Sequence, residues 1–112
     1  MEKPDAISII FIASTPEKVW AALIDRALSQ SYFFGNAVEV DARAGGKFII
    51  RRPDGSIDVE GDVLAIEPPR RLRVTWKVVW LEELKDKPPA EVEYRVEALG
   101  DVVKLTVSEF HA

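Results

Sequence analysis

The sequence has no cysteine and only one histidine, His111. Without thiols, neither a disulfide framework nor a thiolate metal site can form. One histidine cannot build a histidine-rich zinc site, and no carboxylate stands at metal-ligand spacing from it, so we expect no metal and no cofactor. A Gly-x-Ser-x-Gly segment is also missing, which excludes a hydrolase built on that nucleophile motif. We therefore expect no catalytic residue.

The sequence also has fewer basic than acidic residues, and it has no long apolar run. The 112 residues carry 15 Lys and Arg against 19 Asp and Glu, a net charge of −4. Because nucleic-acid binding needs a basic surface, we expect no nucleic-acid partner. No apolar run approaches the roughly 20 residues that span a bilayer, and residues 1–5 lack the apolar run of a signal peptide. We expect one domain over residues 1–112 in the cytoplasm.

The first quarter of the sequence predicts a strand and two short helices. Residues 7–13 form an apolar run of strand length. Thr15 followed by Pro16 marks a helix start, with Thr15 as the N-cap; Ser14 and Glu17 offer a capping box one residue away. The buried stripe of this helix is Val19, Trp20, Leu23 and Ile24. A second short helix is predicted over residues 25–33.

From residue 37 onward the apolar residues alternate with polar ones, which predicts six consecutive antiparallel strands. Gly61 suggests a bulge or bend in the third of them. The fourth is predicted to run from about residue 71 to residue 81, with Trp76 and Trp80 on its inward face. The fold class is therefore α+β, with a curved antiparallel sheet and two short helices after the first strand.

The predicted inward face of the sheet is almost wholly apolar, which indicates a hydrophobic cavity. The acids of these strands, Asp58 and Glu93 among them, are predicted to lie on the opposite, solvated face. Tyr94 is the one inward residue with a polar tip: its hydroxyl could orient a ligand, although a core tyrosine with a hydrogen-bonded tip is the simpler interpretation. The arginines at 51, 52, 70, 71 and 73 could gather near a sheet end and meet an anionic group, but solvated strand-end charges are again the simpler interpretation.

Several segments, in this order and spacing, carry a resemblance to a known superfamily. They are Ala-Ser-Thr-Pro-Glu-Lys-Val-Trp-Ala-Ala-Leu at 13–23, Gly-Gly-Lys-Phe at 45–48, Gly-Asp-Val-Leu at 61–64, Pro-Pro-Arg-Arg-Leu at 68–72, Thr-Trp at 75–76 and Leu-Thr-Val at 105–107. Together they resemble the START-like (SRPBCC, Bet v1-like) superfamily and its bacterial AHSA-type branch, related to the activator of a heat-shock-protein ATPase. The resemblance implies the helix-grip fold, in which a curved sheet holds a long C-terminal helix.

The printed sequence stops where that long helix would begin. Two explanations stay open: the chain is part of a longer protein, or a second copy covers the inward face of the sheet in a homodimer.

The favoured function is binding of a small hydrophobic molecule, lipid-like or aromatic, in the cavity between sheet and helices. The candidate ligand-binding residues are Trp76, Trp80, Tyr94, Phe48, Val74, Ile57 and Phe33. The alternative that the resemblance implies is a co-chaperone module, which would contact a chaperone partner through the exposed sheet face or the loop at 82–89. Some relatives in the wider superfamily are cyclases or hydratases, so an enzyme is the third and least favoured possibility.

Overall fold

One antiparallel sheet organises the chain in the computed structural model, which describes residues 3–25, 36–84 and 86–111. Within these residues the elements are β1 (Ala6–Ile12), α1 (Pro16–Ile24), β2 (Ala37–Val40), β3 (Lys47–Arg51), β4 (Ile57–Glu67), β5 (Arg71–Val78), a short 3-10 helix (Glu82–Leu84), β6 (Ala90–Leu99) and β7 (Val102–Phe110). The sheet order is β1-β7-β6-β5-β4-β3-β2. The predicted succession of a strand, a helix and six antiparallel strands is confirmed, while the predicted second helix falls outside the described residues.

Helix α1 begins where the sequence predicts. The Thr15 side-chain oxygen accepts a hydrogen bond from the Lys18 backbone N–H at 3.3 Å, and Thr15 itself has an extended backbone. This cap satisfies one of the N–H groups that the first turn leaves without a partner, and Pro16 has no such N–H to satisfy. The side chains of Val19, Trp20 and Leu23 are buried against the sheet. Their burial, worth about 1.5–3 kcal/mol each, holds the helix in place.

Strand β5 passes too close to Gly61 of β4 to leave room for a side chain there. A Cβ atom at this position would overlap the carbonyl oxygen of Thr75. The Asp62 backbone N–H also donates to the Thr75 hydroxyl at 2.8 Å, which ties the two strands together next to the glycine. The register shift that marks the irregularity in β4 lies between Val63 and Ala65, two residues after the predicted position. Gly61 therefore serves close strand packing, and the bulge follows it.

The hydrophobic core lies on one face of the sheet, which we call the inner face; the opposite face is the outer face. Alternation along the strands gives the inner face nearly the composition that the sequence predicts. Its buried residues, together with those of α1, are Val19, Trp20, Leu23, Val38, Phe48, Val59, Val63, Leu72, Val74, Val92, Val96, Val103 and Leu105. The helix therefore covers part of the inner face.

On the outer face, the prediction that Glu93 is solvated is wrong, because Glu93 is only 5% exposed. Its carboxylate accepts hydrogen bonds from Arg71 at 3.3 Å, from Arg73 at 3.2 Å and from Arg95. The Arg73 guanidinium in turn lies over the Phe110 ring, 4.3 Å from its centroid. The interpretation of these arginines as solvated strand-end charges is therefore wrong for Arg71 and Arg73, because long side chains from three adjacent strands cover one another.

Candidate functional site

A cavity of about 250 Å³ opens on the inner face beside α1, and we call it the inner cavity. Its lining residues come from α1, from the residue before β2, and from β2 to β6: Leu23, Asn36, Val38, Phe48, Ile50, Asp58, Trp76 and Tyr94. Five of these eight side chains are aliphatic or aromatic and uncharged, and the other three, Asn36, Asp58 and Tyr94, carry polar groups. An apolar pocket with a few polar groups is the usual form of a small-molecule site.

Two aromatic rings form one wall of the inner cavity. The ring centroids of Phe48 and Trp76 are 5.8 Å apart, with the ring planes tilted by 37°. Tilted pairs at this separation are favourable beyond their buried area. Phe48 is fully buried on β3, and Trp76 is half-buried on β5. The Trp76 ring therefore keeps surface that a ligand can contact, while Phe48 fixes its orientation.

Tyr94 brings to the inner cavity a polar group that has no hydrogen-bond partner among the described residues. Its hydroxyl forms no hydrogen bond with the described residues, so the simpler interpretation, a core tyrosine with a bonded tip, does not hold there. Burial raises the pKa of Tyr94, and the negative charge of Glu109 raises it further. The side chain consequently stays a neutral phenol at physiological pH. It can donate one hydrogen bond to a molecule in the cavity and accept another.

Trp80 lies outside the inner cavity, so the prediction that it faces inward on a strand reaching residue 81 is wrong. Strand β5 ends at Val78, and Trp80 is 52% exposed. Its indole N–H donates to the Asp58 carboxylate, and the Arg52 guanidinium lies over its ring at 4.7 Å from the centroid. Asp58 is also 3.6 Å from an Arg52 nitrogen. The register between β3 and β4 shifts between Ile50 and Arg51, and Asp58 next to this shift lines the inner cavity. The prediction that Asp58 lies on the opposite, solvated face is therefore wrong.

The other candidate residues divide into those that meet at the inner cavity and those that do not. Trp76, Tyr94 and Phe48 line it together. Val74 is completely buried in the core and supports Trp76 from the same strand without lining the cavity. Ile57 is partly buried and lies away from the lining, and Phe33 falls outside the described residues.

A second cavity of about 350 Å³ shares Trp76 with the first, and we call it the end cavity. Glu109 and His111 line it together with the proline pair at 88–89. Glu109 lies on the inner face, because it pairs with Val92 across the sheet. The sequence analysis missed it, although the alternation of Val103, Leu105 and Val107 extends directly to position 109. Asn36 was missed as well, and no pattern in the sequence indicates it.

The described residues contain no group of three or more potential metal ligands close enough to hold an ion. In the same part of the chain, no helix combines the length and the apolar character needed to cross a bilayer.

Solved structures with similar folds come from several organisms. An HSP90 activator from Plasmodium falciparum, PFC0360w, superposes with a TM-score of 0.78 at 19% identity, covering 97% of this chain and 74% of that protein. CalU16 from Micromonospora echinospora gives a TM-score of 0.72 at 28% identity; the match covers 94% of this chain but only 59% of CalU16. A protein from Rhodobacter sphaeroides gives 0.73 at 24% identity, covering 95% of this chain and 71% of that one. These likenesses confirm the curved antiparallel sheet of the helix-grip fold.

A search of curated proteins gave no match. A family model described as "Activator of Hsp90 ATPase homolog 1-like protein" matches residues 13–111, almost the whole chain. The match begins just before the cap of α1 and ends just after β7, so it includes every residue that lines the inner cavity. The chain belongs to the family of activator of Hsp90 ATPase homolog 1-like proteins, which confirms the START-like, AHSA-type resemblance of its sequence.

Proposed function

We propose that this chain binds a small, largely apolar molecule in the inner cavity. The observation that carries the proposal is the combination of the aromatic wall with the Tyr94 hydroxyl, which has no partner among the described residues. Desolvation of the ligand against Trp76 supplies affinity, at about 25 cal/mol for each Å² of apolar surface removed from water. Tyr94 orients the ligand by donating a hydrogen bond to it.

The size of the inner cavity limits the ligand. Its volume of about 250 Å³ lies just below the range of roughly 300–1,000 Å³ that is usual for ligand sites. The end cavity, which shares Trp76 with it, has a further volume of about 350 Å³. An aromatic molecule of a few rings or a short lipid-like chain therefore fits, with its apolar body against Trp76.

A matched pair of tryptophan variants tests this proposal. Trp76→Ala removes the cavity wall, whereas Trp80→Ala removes an equally large ring that lies outside the cavity. Binding is measured by titration with the neutral fluorescent probe N-phenyl-1-naphthylamine. We expect Trp76→Ala to weaken probe binding by roughly tenfold, a loss of about 1.4 kcal/mol, and Trp80→Ala to leave it unchanged. Near-ultraviolet circular dichroism checks that both variants are folded.

Two results would contradict the proposal. The first is equal probe affinity in wild type and Trp76→Ala, and the second is an equal loss in both tryptophan variants. Native mass spectrometry of gently purified protein adds an independent measurement, because a retained ligand increases the mass of the chain by a few hundred daltons at most. Organic extraction then yields that molecule for identification.

The family match favours a second candidate function, that of a co-chaperone. The matching family model is named for an Hsp90 ATPase activator, and the Plasmodium protein of similar fold is itself an HSP90 activator. In this alternative the outer face or the loop at 82–89 contacts the chaperone, and no small molecule is needed. The test is the ATPase rate of a purified HSP90-type chaperone with and without this chain. An unchanged rate and no measurable binding would remove this candidate.

The homodimer expected from the sequence, with a second copy over the inner face, stays a prediction.

A further inference from the structure

Strand β1 forms one edge of the sheet and carries an unusual amount of exposed apolar surface. Ile7, Ile9, Ile10 and Phe11 are each at least half exposed, with Phe11 at 63%. Ile7, Ile9 and Phe11 lie in a row on the outer face, beside Ser108, Thr106 and Lys104 of β7. The backbone groups on the free side of an edge strand are also unpaired, so this edge can accept another strand.

The opposite edge of the sheet shows how exposed edges are ordinarily protected. Strand β2 has only four residues, its first two are buried, and its Glu39 forms an ion pair with Arg51 at 2.8 Å. Short length and charge both oppose pairing with another chain. Strand β1 has neither protection: its seven residues include no charge and no proline. The two edges therefore differ in their capacity to pair.

The occupant that suits the β1 edge is a second copy of β1. In an antiparallel pair centred on Ile9, Ile9 faces Ile9 of the second copy and Ile7 faces its Phe11. Because directly opposed residues of an antiparallel pair lie on the same face of the sheet, this register joins the two outer-face rows into one apolar cluster. The chain as a whole carries a net charge of −4, which opposes association of two copies at random surfaces. Across β1 the opposed residues 6–12 are all uncharged, so pairing there brings no like charges together.

We propose that two copies of this chain form an isologous dimer through antiparallel pairing of their β1 strands, which joins the two sheets into one. The pairing is independent of ligand binding, because Ile7, Ile9 and Phe11 lie on the outer face and away from both cavities.

A charged substitution at the centre of the edge tests the dimer. Ile9→Lys places two ammonium groups opposite each other in the pair, and Leu64→Lys is the matched control on an exposed site of β4, four strands away in the sheet. Sedimentation velocity over a micromolar concentration series gives the dimer dissociation constant. We expect wild type and Leu64→Lys to sediment as dimers and Ile9→Lys to dissociate at least roughly tenfold more readily. A monomeric wild type, or a dimer that Ile9→Lys leaves intact, overturns the proposal.

A second variant tests the register and does not depend on the folding of Ile9→Lys. The native chain has no cysteine, so Ile9→Cys introduces a single thiol. Opposed residues of an antiparallel pair have Cα atoms about 4.5–5.5 Å apart, which lies within the span of a disulfide. Mild oxidation is expected to convert Ile9→Cys to a covalent dimer much faster than the control Leu64→Cys. Equal, slow cross-linking of both variants overturns the proposed pairing.

Discussion

Glu93 holds the centre of the charged cluster on the outer face, and Glu93→Gln removes its negative charge while keeping its shape. The carboxylate accepts hydrogen bonds from Arg71 at 3.3 Å and Arg73 at 3.2 Å, and a further one from Arg95. Burial alone would raise the pKa of Glu93, but hydrogen bonds from Arg71 and Arg95 outweigh it and hold the pKa below its usual range. The folded protein therefore favours the charged form of Glu93, and removing that charge destabilises it.

The decrease in the free energy of unfolding caused by Glu93→Gln depends on the exposure and the remaining hydrogen bonds of each arginine. Removing one partner of a buried ion pair typically costs about 3–5 kcal/mol, because the remaining charge stays buried without compensation. Arg95 is 58% exposed and recovers water, so its pair is worth at most about 1 kcal/mol. Arg71 keeps a hydrogen bond to Glu67 at 3.0 Å, and Arg73 keeps one to Glu91 at 2.8 Å. We therefore expect Glu93→Gln to lower the free energy of unfolding by about 2–3 kcal/mol, less than a complete loss of compensation.

Urea unfolding at neutral pH, followed by circular dichroism, measures this change. The control is Glu97→Gln, an exposed position on the same strand and the same face, for which we expect a change within about 0.5 kcal/mol. With a denaturant slope of about 1–3 kcal/mol per molar, the Glu93→Gln midpoint should fall by roughly 0.7–3 M. If the two variants unfold at the same urea concentration, the burial and ion pairing of Glu93 do not stabilise the fold as argued.

Three further predictions follow from the same structure. The advantage of wild type over Glu93→Gln should be full at neutral pH and shrink as the pH falls below about 4.3 toward the lowered pKa of Glu93, because protonation abolishes the ion pairs; an advantage independent of pH would contradict this. Gly61→Ala should destabilise by more than about 2 kcal/mol, since its Cβ overlaps the Thr75 carbonyl, and an unchanged melting temperature would exclude that close approach. Tyr94→Phe should change the free energy of unfolding by less than about 0.5 kcal/mol while weakening probe binding, because the hydroxyl has no partner among the described residues to lose; a large loss of stability would show that such a partner exists.

Local chemistry and periodicity made most of the fold predictable from the sequence. The N-cap at Thr15 needs only two neighbouring residues to be recognised, and the structure has the same cap. Alternation placed the core residues of β5, β6 and β7 on the inner face, as observed. These features depend on residues close together in the chain, and a single sequence contains that information.

The errors at Trp80 and Glu93 have causes that are not local. Trp80 continues the alternation of β5, but the strand ends at Val78 and the indole N–H bonds instead to Asp58, 22 residues earlier. Glu93 occupies a polar position in a clean alternating strand, yet side chains from β5 and β7 cover it. Alternation along a strand predicts the face of the sheet on which a side chain lies. It does not predict how deeply that side chain is buried, because burial depends on which strands pair beside it in the folded chain.

The polar groups of the inner face also restrict the chemistry of the proposed ligand. Asp58 lines the inner cavity, and Glu109 lines the end cavity and acts on Tyr94, so each of the two cavities that share Trp76 contains a carboxylate. Asp58 is partly compensated by Arg52 and the Trp80 indole, but no ion pair to Glu109 is found within the described residues. A ligand anion would be repelled by both carboxylates. Because Tyr94 stays a neutral donor, a neutral ligand with a single hydrogen-bond acceptor fits the inner cavity better than an anionic one.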